Sequence, residues 1–128
     1  MKVLIIDDDA NITEIWEIIL KENGFEVLSA PNGRSGIDQA KAQKPDFILL
    51  DQIMPDMRGN DVLKTLKEDP TTSSIPVAMA SNYSDTQLMQ EAIQQGALDY
   101  ILKYQIEPLD LVSKIKNLLQ EAKNTTNN

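Results

Sequence analysis

Apolar residues in this chain occur either as short unbroken blocks or as longer stretches with an apolar position every three or four residues. The blocks are Val3-Leu4-Ile5-Ile6, Phe47-Ile48-Leu49-Leu50 and Val77-Ala78-Met79-Ala80, with weaker ones over residues 25–30 and at Tyr100-Ile101-Leu102. A block of four bounded by polar or proline-containing turns fits a strand buried on both faces of a parallel sheet. The periodic stretches predict helices. Over residues 10–23, with Asp9 as cap, Ile12, Ile15, Trp16 and Ile19 share one face, and Gly24 stops the helix. Asn32-Gly33 opens a weaker helix to about Lys44 that buries Ile37 and Ala40. Asn60 is placed to cap a third helix burying Val62, Leu63 and Leu66. Ser84-Asp85-Thr86-Gln87 matches a capping box ahead of Leu88, Met89, Ala92 and Ile93, and Gly96 ends that fourth helix. The last helix starts near Pro108 and aligns Leu111, Val112, Ile115, Leu118, Leu119 and Ala122. Residues 124–128 read as a polar, frayed tail.

Strand and helix thus alternate five times, which implies parallel pairing through right-handed crossovers covered on both faces. The expected fold is α/β: a doubly wound five-stranded parallel sheet flanked by five helices, in one domain over residues 1–123. No repeat, linker or second domain is visible in the pattern. Parallel strands all point the same way. Asp7 and Asp8, Asp51, Ser81 and Lys103, each just after or at the end of a strand, therefore meet at one rim. That rim is where open α/β sheets bind ligands.

Composition narrows the chemistry available there. The chain has no Cys and no His, which removes disulfides, thiol nucleophiles and the commonest transition-metal ligand. Any metal would be a hard cation held by oxygen. A net charge of −8 over 128 residues argues against nucleic-acid binding through this domain. With apolar runs of only four or five residues there is no membrane span or signal peptide, and the cytoplasm is the default location.

Two carboxylates such as Asp8 and Asp51 at ~5 Å would repel by about 3 kcal/mol at an effective dielectric near 20. Such a cluster needs a cation or raises a pKa. Mg2+, with Mn2+ as an alternative, suits one or two carboxylates plus phosphate oxygens and water. Lys103 has the wrong sign for the metal and the right one for an arriving phosphoryl group, to which Ser81 could donate a hydrogen bond. A carboxylate beside Mg2+ with a lysine opposite is a site for a nucleophilic aspartate that becomes an acyl phosphate.

The acidic cluster after strand one, Asp51 followed by Ile53-Met54-Pro55 and Gly59, Ser81 after strand four, and Gly96-Ala97, Tyr100 and Lys103 together resemble the receiver domain of bacterial two-component response regulators. The likeness runs from about Lys2 to Ala122. It implies the strand order 2-1-3-4-5 of a flavodoxin-like fold. It further implies that Asp51 accepts phosphate from a phosphohistidine on a sensor histidine kinase or histidine phosphotransfer protein, as in a phosphorelay. Asp8, Asp51 and the backbone carbonyl of Ile53 would hold magnesium, with Asp7 acting through water, while Lys103 and Ser81 contact the phosphoryl group. Ser81 would move toward the phosphate and Tyr100 turn inward. Those movements would switch the surface of the fourth helix, fifth strand and last helix, through which a downstream partner or a weak dimer forms. Any enzyme activity would be limited to the domain's own phosphorylation and dephosphorylation. With no output domain in the chain, a stand-alone receiver or one taken from a longer protein is expected.

Some positions depart from the family pattern. Tyr104 stands where Pro usually follows the lysine, so a trans bond is expected there, and Gln105 stands where Phe is common. Asn82 replaces a small residue, where it would crowd the phosphate or add a hydrogen bond. Ile53 and Tyr83 flank the entrance and offer neither an amide nor a carboxylate to orient water, which implies a long-lived phosphoryl group. Asp9 reads as a cap, Asp56, Arg58 and Asp61 as solvated loop and helix-start residues, and Ile18 as a surface apolar residue. Two other classes use similar parts. A haloacid-dehalogenase-like aspartyl-phosphate phosphatase needs a second Asp where this chain has Ile53, and an FMN module needs a phosphate-cradling loop where this chain has three Asp residues. A receiver used as a phosphorylation-independent binding module is the third alternative.

Overall fold

The apolar blocks become strands whose alternate side chains enter two separate cores. The computed structural model describes residues 1–126 and contains β1 (Lys2–Ile6), β2 (Glu26–Ala30), β3 (Phe47–Asp51), β4 (Val77–Ser81) and β5 (Asp99–Leu102). The helices are α1 (Ala10–Glu22), α2 (Gly33–Gln43), α3 (Gly59–Glu68), α4 (Thr86–Gln94) and α5 (Pro108–Thr126). The sheet is parallel throughout, in the expected order β2-β1-β3-β4-β5. Leu4, Ile6, Ile48, Leu50, Val77 and Met79 pack with Ile37, Ala40, Val62, Leu63, Leu66 and Ala92 of α2, α3 and α4. Val3, Ile5, Phe47, Leu49, Ala78 and Ala80 pack on the other face with Trp16, Leu20, Leu111, Val112, Ile115 and Leu118 of α1 and α5. Because both faces are covered, β3 and β4 are buried along their whole length. Each fully buried Leu or Ile contributes about 1.5–3 kcal/mol. Among the described residues no helix is long and apolar enough to cross a membrane.

Register sets the functional rim. Ile6 pairs with Leu50, Asp51 with Ala80, and Ser81 with Leu102. Asp7, Asp51, Ser81 and Lys103 therefore end neighbouring strands at one level. Lys103 N–H donating to the Ser81 carbonyl at 2.9 Å extends the ladder by one residue.

Gly24 and Gly96 stop their helices as expected, with φ of 91° and 107°. Beyond each, the chain closes a Schellman pair of bonds, Phe25 to Leu20 and Ala97 to Ala92 being the outer ones. Helix α2 ends without glycine, on Lys44 at φ 46°.

Five local expectations are corrected. On α1 the inner stripe is Ile12, Trp16, Ile19 and Leu20, and Ile15 is half exposed. Leu20 lies one turn beyond Trp16 and moves the centre of the stripe away from Ile15. Asn60 does not cap α3. Arg58 holds that position without a side-chain bond, and Asn60 lies inside the first turn, fully buried. The cap of α4 is Asp85, which accepts Leu88 N–H at 3.1 Å, so the box expected from Ser84 to Gln87 is one residue out of phase. Of the apolar face expected on α4 only Ala92 is buried, and Ile93 stays exposed. Helix α5 continues to Thr126, past the expected end near Ala122, because no glycine or proline interrupts it. The amide of Gln120 bonds Asn124 at 3.2 Å along that extension, while residues 127 and 128 of the expected tail lie outside the described residues.

Candidate functional site

Three carboxylates gather where β1 and β3 end. Oxygens of Asp7, Asp8 and Asp51 all lie within 4.8 Å of one another, with Asp7 and Asp51 buried and Asp8 exposed. Lys103, itself buried, reaches in from the end of β5. Its Nζ lies 2.6 Å from Asp7 Oδ2 and 3.1 Å from Asp51 Oδ1. The expected residues are thus brought together, with Asp7 closer to the amine than Asp51 is.

Electrostatics at this cluster are unbalanced. Burial, together with the charge of Asp7, raises the Asp51 carboxyl to about 7, against the lowering effect of Lys103. Burial also works against a charged amine at Lys103, but its bonds and charge interactions with Asp7 and Asp51 prevail and raise its pKa. When ionised, three carboxylates and one ammonium leave two negative charges, the number one divalent cation neutralises. Asp7 Oδ1 accepts Asp9 N–H at 2.9 Å. Asp7 Oδ2 has the Lys103 amine, 2.6 Å away, as its charge partner. Three carboxylates within 4.8 Å of one another, with no nitrogen or sulfur ligand among them, make a donor set that fits a hard cation.

Around the acids, Asp8, Asp9, Asp51, Ile53, Asn82, Tyr83 and Lys103 line an open pocket of about 230 Å³. Its rim is apolar at two points, Ile53 being 50% and Tyr83 62% exposed. Ser81, at the end of β4, is buried, and its Oγ accepts Tyr83 N–H at 3.1 Å, leaving its proton for an outside acceptor. Asp9 caps α1 through bonds from Asn11 and Ile12 N–H, as expected. The Lys103–Tyr104 bond is trans, since no cis peptide occurs among the described residues.

The bonds of Gln52, Asp56 and Asn60 were not legible in the sequence. Asp56 is exposed, as expected, but it also receives Gly33 N–H and Arg34 N–H at 2.9 Å each, which caps α2 across the fold and lowers its pKa. Arg58 and Asp61 pair with each other on the surface. Gln52 and Asn60 are fully buried, and they bond each other and reach Tyr100 and Leu88. The sequence signal for them is faint: Pro55 and Gly59 mark a loop that closes, which makes residues 52 and 60 neighbours. Gly59 permits the closure. A Cβ there would lie 2.3 Å from the Asp51 carbonyl oxygen, and Gly59 N–H donates to Gln52 O at 2.7 Å.

Comparisons with known proteins bear on the family and the fold. The family model described as the response regulator receiver domain matches residues 3–116. The DNA-binding response regulator MtrA of Mycobacterium tuberculosis is 32% identical over 119 residues, covering 93% of this chain and 50% of that protein. The phosphate regulon transcriptional regulatory protein PhoB of Escherichia coli is 33% identical over 119 residues, covering 93% of this chain and 52% of that protein. The chain therefore spans about half the length of these curated relatives. Among solved structures, a CheY-like response regulator receiver domain protein from Methanospirillum hungatei superposes with a TM-score of 0.90 at 28% identity, over 97% of each chain. The haloacid-dehalogenase-like alternative is not favoured by any of these matches. With its parallel sheet, its rim of acids and these relatives, the chain belongs to the response regulator receiver domain family of two-component signalling.

Proposed function

We propose that Asp51 is the phosphoacceptor, taking a phosphoryl group from a phosphohistidine on a sensor histidine kinase or histidine phosphotransfer protein. A carboxylate oxygen of Asp51 attacks phosphorus and the P–N bond breaks. The imidazole leaves with the electron pair and takes up a proton, and an aspartyl phosphate remains. The observation that carries this reading is a buried Asp51 carboxylate 3.1 Å from the Lys103 amine inside a group of three acids. Asp8, Asp51 and the Ile53 carbonyl would hold Mg2+, or Mn2+, with Asp7 through water. The ion supplies neutralisation of phosphoryl oxygens when bound. Lys103 and the free Ser81 proton complete the contacts to those oxygens. The domain's own chemistry is limited to gaining and losing this group.

On the readout side, Ser81 and Tyr100 are the switch residues, and α4, β5 and α5 form the face that changes. A mainly apolar groove of about 680 Å³ on that face, lined in part by Met89, Ile93 and Tyr100, supports a downstream protein or a weak dimer as its occupant. Ile15 and Ile18 stand exposed on α1, the helix that begins at the acids, and give the phosphodonor protein an apolar contact. The location consistent with these partners is the cytoplasm. Neither Ile53 nor Tyr83 at the pocket rim carries an amide or a carboxylate to orient water, so the phosphoryl group is long-lived. Ile53→Asn combined with Tyr83→Glu speeds its loss about tenfold in a phosphate-release assay, and an unchanged rate contradicts this role.

The test is chemical. After treatment with acetyl phosphate and Mg2+, borohydride reduction converts an aspartyl phosphate to homoserine, and peptide mapping places it. Homoserine at position 51 supports the reading. Modification elsewhere overturns Asp51 as the acceptor, and unmodified protein that still binds a partner supports the phosphorylation-independent module instead.

A further inference from the structure

Directly after the acceptor residue the chain buries a primary amide. Gln52 has no exposed surface, and every arm of its side chain is engaged. Oε1 accepts Asn60 N–H at 3.0 Å, and Nε2 donates to Asn60 Oδ1 at 2.9 Å and to the Tyr100 hydroxyl at 3.4 Å. Asn60, equally buried, passes its own Nδ2 to the Leu88 carbonyl in the first turn of α4 at 3.3 Å. Gln52 is also fixed through its backbone. Its N–H donates to Asp51 Oδ1 at 2.9 Å, and its carbonyl accepts Gly59 N–H at 2.7 Å. One residue thus touches the acceptor carboxylate, the start of α3, the Tyr100 ring of β5 and, through Asn60, α4.

We infer that Gln52 and Asn60 are positioning residues that carry the state of Asp51 to Tyr100 and α4, by a route separate from Ser81. The inference rests on the phosphoacceptor reading above. Its physical basis is that buried amides do not tolerate lost partners. If Tyr100 swings outward, one Gln52 N–H loses its protein partner, so the 3.4 Å bond favours the inward Tyr100 rotamer already in the chain without a phosphoryl group. If the turn after Asp51 shifts when its carboxylate takes a new group, the Gln52 amide moves with it. Asn60 and the Leu88 carbonyl then follow, because the two amides are bonded at both ends. The connection is short and polar in an otherwise apolar core, so it has two discrete arrangements, paired or broken.

Amide-resolved NMR of the full chain tests this, with beryllofluoride and Mg2+ as the phosphoryl mimic. The variants are Gln52→Met, which keeps length without hydrogen bonds, and Tyr100→Phe, which removes one hydroxyl and keeps the fold. Loading is read from fluorine resonances of the bound mimic, and propagation from amide shifts over residues 88–90. Wild type is expected to show both. In each variant loading stays within about threefold while the shifts over 88–90 fall by about fivefold. Full shifts over 88–90 in both variants overturn the inference. The unloaded protein gives an independent arm: Tyr100→Phe moves the Gln52 side-chain amide resonances and speeds their exchange with water, and unchanged resonances overturn the link. Failure of wild type to load overturns the phosphoacceptor reading instead, with the unloaded arm still deciding the Gln52–Tyr100 contact.

Discussion

At Asp51, burial and the neighbouring carboxylate of Asp7 favour the protonated acid, while Lys103 favours the charged one, and the net result is a carboxyl titrating at about 7. The folded state therefore binds a proton that the unfolded chain, near 3.8, has already released. Without metal, stability falls as pH rises from about 4 to about 7 and is level above that. Asp51→Asn removes the charge and keeps the shape, with Asp7 still paired to Lys103. In chelator at pH 8 the variant is expected to be more stable by roughly 2 kcal/mol in urea unfolding, with the gain nearly gone at pH 4. An equal gain at both values would show that the charge is not its source. The acids and Lys103 were legible because each sits at a strand end, where chain direction alone assigns the rim. Gln52, Asp56 and Asn60 were not legible, because a polar residue in a loop carries no periodic signal and its partners lie up to 48 residues away.

Elements were legible wherever both cores demand apolar residues. The blocks ending at Ile6, Leu50 and Ala80 could only be inner strands, and β3 and β4 are buried throughout. Helix ends were less legible, because competing caps stand side by side, as Ser84 and Asp85 do, and the choice depends on where the chain leaves the sheet. Two substitutions test the element ends. Gly59→Ala forces a methyl against the backbone of Asp51 and Gln52. It should cost about 3 kcal/mol in denaturant unfolding, and a cost near zero would mean that α3 does not need to approach β3 so closely. Lys44→Gly relieves a left-handed residue at the end of α2. It is expected to raise stability by about 0.5–1 kcal/mol, and a loss would show that the Lys44 side chain contributes more than its backbone conformation costs.

For the whole molecule, the parallel sheet converts sequence order into a single charged rim, and the loop from Gln52 to Gly59 folds back to meet it. The rim was legible from topology. The link from it to the far face was not, since it depends on two buried amides meeting across that loop. The central claim is that this rim makes Asp51 take one phosphoryl group with a divalent ion present. Intact mass after acetyl phosphate treatment, with and without Mg2+, tests it most directly. The expected result is one added phosphoryl group on the wild type only with Mg2+, and none on Asp51→Asn. A gain that survives the Asp51→Asn substitution, or no gain on the wild type with Mg2+, would contradict it.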